Sequence, residues 1–169
     1  GDRRLRRVRA RAVLAKMTAE AGTTIRTLTA SDAPALLTAV RAEGVTELRN
    51  AAIEPEIMDL IAVLQKMGAI ISVDTDRVIR VEGVERLGGF THRALPDRIE
   101  AASWACAALA TRGDITVRGA RQLEMMTFLN VFRKVGGALD ISDDGIRFSH
   151  PGGELNSLVL ETAVHPGFM

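Results

Sequence analysis

The chain repeats itself, and that constrains its fold more than any other feature. The segment Glu56-Ile57-Met58-Asp59-Leu60, continued by Leu64-Gln65-Lys66-Met67-Gly68-Ala69, returns 68 positions later as Glu124-Met125-Met126-Thr127-Phe128 and Phe132-Arg133-Lys134-Val135-Gly136-Gly137. Downstream, Asp76-Arg77-Val78 falls on Asp144-Gly145-Ile146 in the same register. Upstream, Gly44-Val45-Thr46-Glu47-Leu48-Arg49-Asn50-Ala51 matches Gly113-Asp114-Ile115-Thr116-Val117-Arg118-Gly119-Ala120 at 69 positions, so one residue is deleted in between. Four matches in order define two copies of one supersecondary unit.

Each copy reads as helix, strand, helix, strand, strand. Ile57, Leu60, Ile61, Leu64 and Met67 recur at helical spacing, as do Met125, Phe128, Leu129, Phe132 and Val135, which predicts two amphipathic helices with core stripes. Gly68 and Gly136 fall where a helix end favours a left-handed residue. Strands are expected at 69–73 and 78–81, and again at 138–141 and 146–148, each pair around a polar turn. The earlier helix differs in kind. From Ile99 to Ala110 almost every residue is small or apolar, with Trp104 and Cys106 among them, and a shorter counterpart runs from Pro34 to Val40. Such helices are expected to be enclosed on all sides.

Between the copies, residues 83–96 hold three glycines and a proline, which predicts a linker between two subdomains. Asp97 with Glu100 then reads as a variant capping box opening the enclosed helix. With 47% apolar and 25% charged residues in 169, a packed core is expected and disorder is not. A net charge of +1 gives no general pull toward nucleic acid or membrane. The basic run Arg3 to Arg11 has no interleaved aromatics, so we read it as a solvated edge and not a nucleic-acid arm. A single cysteine excludes an internal disulfide or a Cys-based zinc cluster. No stretch is long and apolar enough to span a bilayer, and a soluble, cytoplasmic setting is expected.

No phosphate loop, nucleophile elbow, dinucleotide fingerprint or zinc-protease motif is present, and His92, His150 and His165 are scattered. The residues do carry a family resemblance. Asn50 to Ile57, Lys66 to Ala69, Thr75-Asp76-Arg77, Glu82 to Gly89, Leu95 to Glu100 and His165-Pro166-Gly167-Phe168 together resemble the UDP-N-acetylglucosamine enolpyruvyl transferases. The similarity is dense over 43–100, thinner to Met169 and weak before Arg26. The resemblance implies an α/β protein of repeated βαβαββ-type units in an inside-out barrel, with helices enclosed and sheets outside. Residues 1–88 would end a first lobe, with its last unit about 26–83, residues 89–96 would cross over, and 97–169 would open a second lobe.

It also implies a reaction: enolpyruvyl passes from phosphoenolpyruvate to the sugar 3-hydroxyl of UDP-N-acetylglucosamine with release of phosphate, committing the sugar to the bacterial cell wall. Such chemistry needs positioned acids and bases, and cationic donors around an anionic substrate. No cofactor or metal is implied. The partners are the two small-molecule substrates and the remainder of the same enzyme chain, with neither nucleic acid nor membrane. Family members use a loop cysteine and an aspartate just beyond the His-Pro-x-Phe segment; both are expected outside this segment, which alone is expected to be inactive. Cys106 is not that cysteine.

No catalytic residue is therefore assigned here. Glu54, Glu56, Asp97, Arg98 and His165 match family positions near the cleft and are supporting candidates, with helix-terminal dipole and capping roles competing at Glu54, Glu56 and Asp97. Arg26, Thr27, Leu28 and Thr29 are the nucleotide-binding candidates, although this stretch departs from the family's Ser-Val-Gly-Ala-Thr and Ile53 replaces a common arginine. Two alternatives stand beside the leading reading: a paralogue acting on another nucleotide or on shikimate phosphate, and a non-catalytic binding module of the same fold.

Overall fold

The two-copy reading becomes visible in the order of the strands. In a computed structural model describing residues 23–26 and 32–168, the elements run β1 (Thr23–Arg26), α1 (Asp32–Ala39), β2 (Val45–Leu48), α2 (Pro55–Lys66), β3 (Ile70–Asp74), β4 (Val78–Glu82), α3 (Arg98–Ala110), β5 (Asp114–Arg118), α4 (Gln122–Val135), β6 (Ala138–Ser142) and β7 (Gly145–Ser149). One sheet has the order β1-β2-β4-β3 and the other β5-β7-β6. In each triplet the last strand lies in the middle and runs antiparallel to both neighbours, while β1 adds to β2 in parallel. The basic run Arg3 to Arg11 lies outside the described residues.

The chain separates into two compact units. One takes the described residues up to Ala51 together with Leu64–Gly89, and the other takes Ala52–Val63 and the chain from Phe90 on. In the first, α1 packs on β4, and Leu36, Val40, Leu48, Ile79 and Val81 are almost fully buried. In the second, α3 lies on β5 and β7, and α4 covers β6. Met125, Leu129 and Phe132 of α4 and Ala101, Ala105 and Ala108 of α3 meet Ile146 and Phe148 of the central strand. The rings of Phe132 and Phe148 stand edge to face at 5.2 Å, with Phe128 5.9 Å from Phe132.

Local predictions hold closely. Gly68 and Gly136 adopt φ of 99° and 106°, the left-handed geometry in which the helices end. Asp97 caps α3 by accepting from the backbone N–H groups of Ile99 (2.8 Å) and Glu100 (2.9 Å). The reciprocal arm of the capping box is missing, because the Glu100 carboxylate accepts from the Trp104 indole instead.

Two expectations are corrected. First, the repeats do not keep one register through the last strand. The β3–β4 hairpin turns over Thr75–Arg77, with Arg77 left-handed at φ 57°, whereas β6 and β7 are joined by Asp143 and Asp144 alone. The fully buried pair Ile79 and Val81 thus corresponds to Ile146 and Phe148, 67 positions on, so Val78 does not fall on Ile146. A one-residue slip would have turned these side chains to the wrong face. Second, α3 is not enclosed. A three-stranded sheet and one helix cover a single face, so alanines at 101, 105 and 108 are buried while Ile99, Trp104 and Cys106 are exposed. Its counterpart α1 behaves alike, burying Leu36 and exposing Leu37.

Packing differences between the copies are complementary. Leu64 in the first copy corresponds to Phe132 in the second, and the buried Ala69 corresponds to Gly137. A Cβ on Gly137 would run into the Phe132 ring, so the larger side chain requires the smaller partner. Gly137→Ala is expected to destabilise the chain by about 1–3 kcal/mol. Phe132→Leu combined with Gly137→Ala should cost less than the two single changes added together. Urea denaturation of the four proteins measures this coupling, and simple additivity would refute it.

Each sheet also carries an arginine–carboxylate lock. Glu47 on β2 faces Arg80 on β4 (2.9 Å) and receives Arg49 (3.0 Å), and Arg147 on β7 forks onto Asp114 on β5. Hydrogen bonds from Arg80, then Arg49, hold Glu47 below its ordinary 4.5, and the Arg147 hydrogen bond holds Asp114 below 3.8. Folded values below unfolded ones mean that this contribution is complete above the unfolded values and is lost as pH falls through the folded ones. Stability is expected to decline below about pH 4.5. Urea midpoints measured from neutral to acid pH should show a shallower decline in Glu47→Gln and Asp114→Asn.

Candidate functional site

Two helix N-termini bring the site together. Glu54 opens α2, its carbonyl accepting from the N–H groups of Ile57 (3.0 Å) and Met58 (3.1 Å). Pro55 fills the first helical position, where its missing N–H costs nothing. That geometry leaves Glu56 in the first turn, and Arg98, the first residue of α3, reaches it with Nε at 2.7 Å and Nη2 at 3.2 Å. This is a bidentate, charge-assisted pair. The Arg98 side chain is 13% exposed, so the guanidinium is held in place and does not sweep through solvent. Burial pushes the Glu56 carboxyl up. The Arg98 hydrogen bond, a backbone N–H and the charges of Arg98 and His165 more than offset that, leaving it below its ordinary value.

His165 sits in a turn at 163–168 that closes on itself through Ala163 N–H to Phe168 O and Gly167 N–H to Val164 O, both 2.8 Å. Thr127 on α4 pins that turn by donating its hydroxyl to Pro166 O at 2.7 Å. Arg98, Ser103, Cys106, Met126, Phe128 and His165 are among the residues that line a groove of about 580 Å³ on this unit. Its walls are mostly apolar, with the guanidinium and imidazole as convergent polar groups, which is the composition of a small-molecule site.

Of the residues singled out in the sequence, Glu56, Arg98 and His165 come together. Asp97 is next to Arg98, but one carboxylate oxygen is already engaged in capping α3. Glu54 contributes a buried side-chain oxygen, Oε2, with no hydrogen-bond partner among the described residues. Arg26 ends β1 and pairs in register with Leu48, while Thr27, Leu28 and Thr29 lie outside the described residues. Among the described residues no three His, Cys, Asp or Glu side chains are placed to share a metal ion, and no helix is long and apolar enough to cross a membrane.

Sequence reasoning missed one contact. His92, read as an isolated histidine, meets Asp59 on α2, Nε2 to Oδ1 at 2.9 Å, and the other Asp59 oxygen accepts from Leu95 N–H at 3.3 Å. The partners are 33 residues apart, and only the position of Asp59 one turn beyond Glu56 hinted at a shared face.

The described residues thus hold two copies of one α/β repeat and a charged cluster at helix N-termini. The chain belongs to the EPSP synthase (3-phosphoshikimate 1-carboxyvinyltransferase) family, which it matches over residues 29–169. It is 52% identical over 134 residues to the UDP-N-acetylglucosamine 1-carboxyvinyltransferase of Protochlamydia amoebophila (strain UWE25), covering 79% of this chain and 29% of that protein. The enzyme of the same name from Chlamydia pneumoniae is 44% identical over the same shares. That of Nitrobacter hamburgensis is 43% identical over 135 residues, 79% of this chain and 31% of the relative. The chain thus spans under a third of the length of these curated relatives. Among solved structures, the enolpyruvyl transferase NikO from Streptomyces tendae superposes with a TM-score of 0.66 at 24% identity, covering 80% of this chain and 33% of that one, a likeness of fold.

Because the hydrogen bond and charge of Arg98 help hold the Glu56 carboxyl down against burial, Arg98→Ala should raise its titration midpoint. Side-chain carboxyl NMR across an acid titration measures this directly. A midpoint unchanged from the parent chain would contradict the electrostatic account.

Proposed function

We propose that this chain is the crossover region and adjoining parts of an enzyme that moves enolpyruvyl from phosphoenolpyruvate to the 3-hydroxyl of UDP-N-acetylglucosamine. The reading places that enzyme in the cytoplasm at the first committed step of peptidoglycan synthesis, and so in cell-wall biogenesis, cell shape and the cell cycle. The observation that carries it is the 52% identity over 134 residues to a relative so named, beside a family match over 29–169 that takes in Glu56, Arg98 and His165. Residues 1–88 end one lobe, 89–96 cross over, and 97–169 begin the next, whose remaining helices cover the exposed Ile99, Trp104 and Cys106 of α3.

In this reading Glu56, Arg98 and His165 act as supporting groups around an anionic substrate. Glu56 fixes the guanidinium so that its charge is already oriented when phosphoenolpyruvate arrives, and little reorganisation accompanies reaction. His165 adds an imidazole on the same groove. The unpartnered oxygen of Glu54 supports a further acceptor near the α2 terminus, and Asp97 serves chiefly to set the start of α3. Arg26 with Thr27, Leu28 and Thr29 is proposed to meet the nucleotide. The loop cysteine and the aspartate that complete the chemistry are supplied by the rest of the enzyme.

The 169-residue chain alone is expected to release no phosphate from the two substrates. The longer protein containing it should turn over UDP-N-acetylglucosamine in preference to shikimate 3-phosphate. Arg98→Ala in that protein is expected to lower kcat/KM by about 10–100-fold, the loss of one charge-assisted contact. A continuous phosphate-release assay with both acceptors checks all three, and indifference of the longer protein to UDP-N-acetylglucosamine would reject the reading.

A further inference from the structure

The stretch from His92 to Arg98 is fastened to α2 at three successive points. His92 Nε2 lies 2.9 Å from Asp59 Oδ1, the Leu95 N–H donates to Asp59 Oδ2 at 3.3 Å, and Arg98 forks onto Glu56 at 2.7 and 3.2 Å. The three anchors are three residues apart, and their two carboxylates are also three apart, one helical turn on one face of α2. Both members of the first pair are largely buried, His92 with 11% and Asp59 with 19% of the side chain exposed. The chain between Gly83 and Pro96 has no regular structure of its own. Its three glycines leave many conformations open, so something must select the one that delivers Arg98.

We propose that Asp59 is a positioning residue. By gripping the His92 side chain and the Leu95 backbone, it holds the crossover against α2 so that Arg98 arrives already aligned with Glu56. Asp59 acts through Arg98, and its importance for turnover rests on the function proposed above. Glu56 is faced by Arg98 and by the charge of His165, so its titration reports whether the guanidinium is seated. Release of the strap lets Arg98 leave the fork, and the burial that pushes the carboxyl up is then less opposed.

The 169-residue chain serves for the test, with Arg98→Ala as the reference for an unseated guanidinium. In Asp59→Ala and in His92→Ala the Glu56 midpoint should move up toward the reference, and the Arg98 Nε–H should exchange faster with solvent, while far-UV circular dichroism stays unchanged. His92→Gln, which keeps a side-chain N–H donor, should restore parental behaviour at least in part. If Asp59→Ala does not fold, His92→Ala decides alone, because it removes the contact from the strap side. A parental Glu56 midpoint and Arg98 exchange rate in the folded variants would overturn the proposal. In the longer protein, Asp59→Ala should lower kcat/KM by about tenfold. Absence of turnover in the unmutated longer protein would sink the functional reading, and the NMR result would still stand or fall by itself.

Discussion

Placing the last strand of each copy between the two others determines most of what surrounds it. β4 and β7 hydrogen-bond on both edges, so each must present an apolar pair to one face, and Ile79 with Val81 and Ile146 with Phe148 have essentially no exposed surface. Helices can then settle only where these side chains point. The alanines of α3 let its backbone come close to β5 and β7, and the aromatic cluster of α4 fills the space left over β6. Arginine–carboxylate locks on the polar face, Glu47 with Arg80 and Asp114 with Arg147, join the same strands from the other side. The locks add register, and the buried pairs hold the triplet together.

Much of this was legible because the sequence states it twice. A pattern seen once at Ile61 and Leu64 is weak, but its return at Leu129 and Phe132 identified both helices and their buried faces. The glycines at 68 and 136 marked the ends of α2 and α4 for the same reason. Three things were not legible. The hairpin of the second copy is one residue shorter, and Asp-rich turns of two and three residues look alike in composition. Composition gave the apolar content of α3 but not how much of it this chain could cover, so Ile99 and Trp104 were expected inside. The Asp59–His92 contact joins residues from distant segments, and no local pattern encodes such a pair.

The copies also show how one position can take on different work. Glu56 and Glu124 are equivalent in the repeat, each in the first turn of its helix. Glu124 pairs with Arg121 three residues earlier, a contact at 3.4 Å within its own segment that adds little beyond helix-terminal electrostatics. Glu56 instead takes a well-formed fork from Arg98, 42 residues away, with distances of 2.7 and 3.2 Å. The local chain explains the difference: Pro55 stands where the second copy has Leu123, and only the first copy is followed by a glycine-bearing strap that brings an arginine back to the helix terminus.

That divergence separates architecture from chemistry. Where the copies agree, in the buried strand pairs and the helix-ending glycines, the shared residues satisfy packing and backbone geometry that any member of the repeat must meet. Where they differ, at Glu54 and Pro55 and at the His92 and Arg98 that the crossover and α3 bring to them, partly buried ionisable groups gather that packing alone would not select. A buried carboxylate oxygen without a partner at Glu54 and an arginine held 13% exposed are costs to a scaffold and assets to a site that must receive an anion. The asymmetry between two otherwise equivalent copies thus points to the α2 terminus, more sharply than any single motif in the sequence does.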